Sequence, residues 1–264
     1  MIKSAKTHHK PNIDTAFNIR SLANYPTISE TLTANTFYRG DCFRLLSNPD
    51  AATLFSLGVR TVIDLRDITE IIRTPSPFAY MADVAYLIHP MLSKQAFEES
   101  SFSMDESTLT RMYVVWLEQS KAALRDIFRA LHEGSRRGKV FFHCTLGKDR
   151  TGIVAALLLD IAGVTSEIIV EDFLLTNGSF TCIAKEADRK LLEDACGFTS
   201  NSSESHKETI LKAHEKTMRC FLRHLYTEYN GAEGYLLHIG LSKEECNGIA
   251  IAMAEKKMAA AAVF

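Results

Sequence analysis

No stretch of the chain is long and apolar enough to span a bilayer, since the longest apolar run, Gly152 to Leu159, falls far short of the roughly 20 residues a crossing helix needs. Charge of one sign is lacking too. Thirty basic residues stand against 32 acidic ones, a formal net charge of -2. No global field therefore draws nucleic acid or an anionic membrane, and any attraction for phosphate must be local. The six cysteines, Cys42, Cys144, Cys182, Cys196, Cys220 and Cys246, show no Cys-x2-Cys pairing and no nearby His spacing. That excludes a zinc site on spacing, and no metal or other cofactor is expected. With 46% hydrophobic residues among 264, the chain can bury a core without disulfide staples, so reduced thiols and a cytoplasmic setting are expected. Met1 to Asn12 carries Lys3, Lys6, His8, His9 and Lys10 without an apolar h-region. It reads as a flexible start rather than a cleavable signal, with export by another route left open. No internal repeat is visible.

Strand-like and helix-like runs alternate through the first two thirds, and the last third reads as helix throughout. The pattern predicts an α/β fold: a central, mainly parallel sheet flanked by helices, with a helical C-terminal third, in a single domain over 1–264. Pro49 to Leu57 fits a short helix stopped by Gly58. Val59 to Leu65 is a strand leading into Arg66 and Asp67, and Val84 to His89 is a strand stopped at Pro90. The polar, Ser- and Glu-rich stretch Met91 to Thr108 is read as a lid or loop. From Leu109 to Leu131, apolar residues at three- and four-residue steps predict one amphipathic helix, with Trp116 in its packed face. Arg136, Arg137 and Lys139, beside Gly134 and Gly138, read as a solvated turn. Val140 to His143 suits a buried strand, and Ile153 to Ile161, apolar all round, a helix buried on a sheet and ended by Gly163. Ser166 to Leu175, Thr181 to Ala195, Lys207 to Tyr229 and Ser242 to Met258 follow as helices.

The informative segment joins that strand to that helix: His143-Cys144-Thr145-Leu146-Gly147-Lys148-Asp149-Arg150-Thr151-Gly152. A loop feeding a helix N-terminus gathers unpaired N–H groups, and the helix dipole adds positive potential, so it binds an oxyanion. Cys144 at its start would be favoured as thiolate, a competent nucleophile toward phosphorus. Arg150, six residues on, offers a planar fork for two equatorial phosphate oxygens. The loop from Thr145 through Lys148 would supply backbone donors, with Gly147 letting the chain turn close to the anion. Thr151 offers a hydroxyl to the Cys144 sulfur, Gly152 closes the run, and His143 orients the loop by a backbone hydrogen bond. A nucleotide P-loop is excluded, because Asp149 stands where Ser or Thr must follow Gly-Lys and Phe142 where its first glycine belongs.

The run His143 to Gly152 resembles the phosphate-binding loop of the protein tyrosine phosphatase superfamily. Its His-Cys-x-x-Gly-Lys-Asp-Arg-Thr-Gly form is similar to the atypical tyrosine/lipid phosphatase branch. Asn18-Ile19-Arg20-Ser21-Leu22, Tyr38-Arg39-Gly40, Val62-Ile63-Asp64-Leu65-Arg66, Glu171 to Asn177 and Leu241 to Glu245 resemble further segments of that branch. Ser21 departs from it where Asp is usual, and Ala23-Asn24 where Gly-Gly is frequent. The resemblance implies a cysteine-dependent phosphomonoesterase that forms a cysteinyl phosphate, with phosphorylated protein or phosphoinositide as partner. Phosphotyrosine is the implied substrate, with phosphoserine/threonine and phosphoinositides left open. Lys148 suggests lipid capability, as a cation for a second phosphate. A Trp-Pro-Asp acid loop is absent, so Asp149 is the implied general acid, ahead of Asp64, Asp67 and Asp83. Asp64 and Arg66, at the end of a strand, are supporting residues, with an Asp64–Lys148 ion pair expected. A phosphate-recognising module without turnover is the alternative. Sulfur transfer or arsenate reduction would need a resolving thiol, and none is near Cys144 in sequence. Substrate preference and oligomeric state stay open.

Overall fold

β3 (Val59–Asp64) is rich in β-branched residues and buried along nearly its whole length, as a central strand covered on both faces must be. β5 (Lys139–His143) lies beside it. With β1 (Arg20–Ser21), β2 (Phe37–Gly40) and β4 (Ala85–Ile88), they form a five-stranded sheet in the order β1-β2-β5-β3-β4. Every pairing is parallel except β1 against β2, which is the mainly parallel sheet expected. The register aligns Gly40, His143 and Asp64 across the three central strands. Asp41–Cys42, Cys144 and Leu65–Arg66 therefore emerge together beyond the carboxyl ends of β2, β5 and β3, where α/β sheets place ligands. This computed structural model describes residues 16–29, 32–42, 48–91, 106–181, 190, 192–193, 198 and 201–254. The expected flexible start, the lid segment over 92–105, most of the expected helix Thr181 to Ala195 with Cys182 and Cys196, and everything after Ala254 lie outside them.

Ten α-helices among the described residues flank the sheet and form the C-terminal third: α1 (Asn48–Ser56), α2 (Ile68–Arg73), α3 (Glu106–Gln119), α4 (Lys121–Ser135), α5 (Asp149–Ile161), α6 (Ser166–Thr181), α7 (Glu204–Leu211), α8 (Glu215–Tyr229), α9 (Ala232–His238) and α10 (Lys243–Met253). None of them is long and apolar enough to cross a membrane. α5 is buried from Asp149 to Leu159. α4 turns Leu124, Ile127, Phe128 and Leu131 into the same core as β5 and α5.

Two expected helices are each broken in two. The run Leu109 to Leu131 divides at Ser120, whose ψ of 20° leaves the helical region. No large apolar side chain between Leu117 and Leu124 holds the two halves in register. The run Lys207 to Tyr229 divides where Lys212 turns extended, at φ -71° and ψ 137°. There Asn177 of α6 donates Nδ2 to the Ala213 carbonyl at 3.0 Å and accepts the Ala213 N–H at 2.7 Å. Lys148 donates to the carbonyls of Ile210 and Lys212. Side chains thus supply partners to the Ile210, Lys212 and Ala213 backbone that a continuous helix would have supplied. α2 was not expected, because it is only six residues long and buries none of its side chains, although Ile68, Ile71 and Ile72 stand at steps of three and four residues. A capping box holds it: Asp67 accepts from the N–H groups of Thr69 and Glu70, and Glu70 Oε2 accepts from the Asp67 N–H.

The ends of the fold meet on one carboxylate. Arg20 of β1 donates Nε to Asp172 Oδ1 of α6 at 2.9 Å, Arg39 of β2 donates to Asp172 Oδ2 at 2.5 Å, and the Tyr25 hydroxyl donates to Oδ1 at 2.7 Å. Burial alone would raise the Asp172 carboxyl, but Arg20 and Arg39 outweigh it and hold it well below the ordinary carboxylate range. Replacing Asp172 by Ala leaves two buried guanidinium groups without their anion, and a loss of about 3–5 kcal/mol in urea unfolding is expected. The pair's contribution is complete above the unfolded Asp value of about 3.9 and is lost as pH falls below it, so the variant's deficit should shrink in acid. An unchanged midpoint at neutral pH would contradict this.

Candidate active site

The loop from Cys144 to Lys148 is held by its first four carbonyls, each taken by a donor on the outside of the loop. His143 Nδ1 donates to the Cys144 carbonyl at 3.2 Å, and the Cys42 N–H donates to that of Thr145 at 2.9 Å. Asn18 Nδ2 donates to the Leu146 carbonyl at 2.9 Å, and Arg39 to that of Gly147 at 2.8 Å. In a trans peptide the next N–H points opposite to its carbonyl. The N–H groups of Thr145, Leu146, Gly147 and Lys148 are thereby turned into the loop, toward Cys144 and the start of α5. No side chain caps α5 at Lys148, so the helix presents its first turn to the same space. Backbone N–H groups and a helix dipole so arranged could hold an oxyanion.

Gly147 is required twice over. Its φ of 64° is left-handed, and a Cβ there would lie 2.4 Å from the Gly40 carbonyl carbon and oxygen. At Gly152 a Cβ would press on the Phe173 ring of α6 at 3.2 Å, so close helix packing also favours glycine there. Thr151 is buried with Oγ1 unpartnered, so its hydroxyl is uncommitted in this state.

Arg150, on the first turn of α5, meets Glu70 of α2. Its two terminal nitrogens donate to Glu70 Oε2 at 2.6 Å and Oε1 at 2.7 Å, and the Thr145 hydroxyl donates to Oε1 at 2.5 Å. Burial would raise Glu70, but Arg150 and then Thr145 pull it down to about 2. Asp64, fully buried at the end of β3, accepts from Arg66 and from the Tyr86 hydroxyl, and Arg66 donates onward to the Thr74 carbonyl at 2.8 Å. The Asp64–Arg66 pair therefore braces the turn that presents Glu70. Burial pushes the His143 imidazole beside it below its ordinary value.

Lys148 does not face a substrate. Its side chain is 1% exposed and donates to the Ile210 and Lys212 carbonyls. The carboxylate it meets is Asp149, at 3.4 Å, while Asp64 is bound by Arg66. The expected Asp64–Lys148 pair is thus replaced by two others, and the case for Lys148 as a cation for a second phosphate falls with it. Asp149 also accepts from the Tyr113 hydroxyl at 2.9 Å, whose own ionisation burial and Asp149 push far out of range. The weaker acid candidates are spent elsewhere. Asp67 caps α2, and Asp83 precedes β4, so it lies at the amino ends of the strands, away from the loop.

Sequence reasoning assigned no role to Glu70, Tyr113, Asn18, Arg20, Arg39 or Asp172. Only Glu70 left a readable signal, as the last residue of Asp67-x-x-Glu70, a helix-capping pattern. Tyr113 reads as core, and the rest lie in segments matched for resemblance alone.

Residues 11–255 match the model of the tyrosine phosphatase family, and the chain belongs to that family. The expected resemblance and the expected class, a protein-tyrosine-phosphatase-type hydrolase, are those of the family. A tyrosine-protein phosphatase of Nostoc commune is 28% identical over 84% of this chain and 75% of its own length. The triple specificity protein phosphatase PtpB of Mycobacterium tuberculosis is 26% identical over 88% of this chain and 94% of its own. The crystal structure of P. aeruginosa TpbA aligns with a TM-score of 0.40 at 20% identity, over 75% of this chain and 94% of that one.

Gly147→Ala is expected to abolish binding of inorganic vanadate, titrated by fluorescence, while far-ultraviolet dichroism is retained; vanadate bound as in wild type would contradict the cradle. Glu70→Gln removes the bidentate partner of Arg150, and a fall of about tenfold in kcat/KM, about 1.4 kcal/mol, is expected. Because Glu70 stays ionised to about pH 2, its pair with Arg150 is intact above the unfolded Glu value of about 4.3 and is lost only as pH falls toward 2. The acidic limb of the rate profile should therefore stand at the same pH in Glu70→Gln, and a displaced limb would contradict that.

Proposed function

We propose that this chain is a metal-independent phosphomonoesterase acting on phosphotyrosine through a cysteinyl-phosphate intermediate. The observation that carries the reading is the set of four outward-held carbonyls around Cys144, which turns their N–H groups onto one small anion site at a helix N-terminus. In this reading the Cys144 sulfur attacks phosphorus, the P–O bond to the leaving group breaks, and Asp149 delivers its proton to the departing phenolate. Water then attacks the phosphocysteine and gives a proton back to Asp149, and inorganic phosphate leaves with Cys144 regenerated as thiolate. Arg150, placed by Glu70, holds equatorial oxygens. The N–H groups of Thr145, Leu146, Gly147 and Lys148 hold the phosphate, and Thr151 Oγ1 is a spare donor for the leaving sulfur.

The name of the Mycobacterium tuberculosis relative, a triple specificity phosphatase, favours keeping phosphoserine/threonine and phosphoinositides as second substrate classes. A single phosphatase domain and a reduced cytoplasmic setting complete the reading. The test is phosphate release, with chelator present, from a phosphotyrosine peptide, a phosphoserine peptide and phosphoinositides. Wild type should release phosphate, while Cys144→Ser should bind substrate without turnover, and Asp149→Asn should lose far more rate on a phosphotyrosine peptide than on an aryl phosphate with an acidic leaving group. Full turnover by Cys144→Ser would end the mechanism, and binding without release by wild type would favour a recognition module.

A further inference from the structure

Near the loop that follows β5, α6, α8 and the connection before α8 border an open groove of about 800 Å³. Its wall on α8 carries Lys216, Arg219 and Arg223, at steps of three and four residues, which set them in one row opposite the buried face of Thr217, Met218, Phe221 and Leu222. Lys212 adds a fourth cation from the break before α8. Among the described residues lining the groove, Glu215 is the one acid, and it is bound to Arg219 at 2.7 Å. Lys216 and Arg223 meet no carboxylate among the described residues. In a chain of net charge -2 this is a local concentration of positive charge, matched among the described residues lining the groove by Glu215 alone.

The backbone of the groove is tied to the loop that follows β5. Ala213 lines it, clamped by Asn177, and the neighbouring carbonyls of Ile210 and Lys212 accept from Lys148 of the catalytic loop. We infer that this groove binds acidic residues flanking the phosphotyrosine of a peptide substrate, an inference that rests on the phosphotyrosine reading above. Shape and spacing select that occupant. Lys216 to Arg223 spans about 10 Å of helix axis at 1.5 Å per residue, too spread for one phosphate to be clamped but matched to carboxylates strung along a chain extended at about 3.3–3.6 Å per residue. The apolar floor of Leu174 and Ala213 accommodates the aliphatic parts of such a chain.

Two measurements on the full chain test this. In the first, kcat/KM is compared for phosphotyrosine peptides with acidic and with neutral flanks and for an aryl phosphate, in wild type and in the combined variant Lys216→Ala, Arg219→Ala and Arg223→Ala. The variant should raise KM for the acidic peptide by about tenfold and leave the other two substrates unchanged, with the wild-type preference fading as salt rises. In the second, a fluorescent, unphosphorylated acidic peptide should bind wild type in a salt-dependent way and the variant weakly. This arm needs no turnover, so it stands or falls apart from the proposed chemistry. Equal kcat/KM for the two peptides, or no binding of the acidic probe, overturns the inference. Binding of phosphatidylserine vesicles in place of the peptide overturns it in favour of a lipid surface.

Discussion

Two guanidinium groups cannot be buried side by side without an anion between them, and Asp172 is that anion for Arg20 and Arg39. The consequence runs straight to the loop. Arg39, fixed by Asp172, spends its other terminal nitrogen on the Gly147 carbonyl. Arg20 donates to Asn18 Oδ1, and Asn18 donates to the Leu146 carbonyl. A single carboxylate on α6 thus sets the orientation of two successive peptide planes between β5 and α5. The donors those planes turn inward are aimed before any anion arrives, so binding requires little reorganisation of the protein.

The opposite side of the loop is supported differently. Glu70 is presented by a short helix that buries none of its side chains and depends on its capping box and on the Asp64–Arg66 turn behind it. Its pairing with Arg150 has an electrostatic consequence. A guanidinium already matched by a carboxylate offers an incoming phosphate direction and hydrogen bonds more than net charge. The positive potential of the cradle must then come chiefly from the loop N–H groups and the N-terminus of α5, and these are what the Asp172 network orients. The back of the loop is closed by buried pairs, whereas the Glu70–Arg150 pair sits at its partly exposed mouth.

β3, β5 and α5 were legible in the sequence because burial on every side leaves continuous apolar runs, and the loop was legible because its residue types and spacing serve one kind of chemistry. What was not legible depends on side chains far away in sequence. The break at Lys212 exists because Asn177 and Lys148 take over backbone hydrogen bonds there, and no local pattern announces it. Lys148 was misread for the same reason. Its letter places a cation in the loop, but its direction is decided by carbonyls 62 and 64 residues on. Tyr113 carries core spacing and a hydroxyl on Asp149 together, and periodicity reports only the first.

Lys148 also explains why a cationic groove lies where it does. By drawing the Ile210 and Lys212 carbonyls toward the catalytic loop, it turns the chain out of helix ahead of α8. The turn brings Lys212 beside the row that begins at Lys216, and the Asn177 clamp on Ala213 makes the floor. One buried ammonium therefore ties the geometry of the catalytic loop to that of the neighbouring groove. Its charge is used for architecture, and the cations that line the neighbouring groove are those on the outer face of α8.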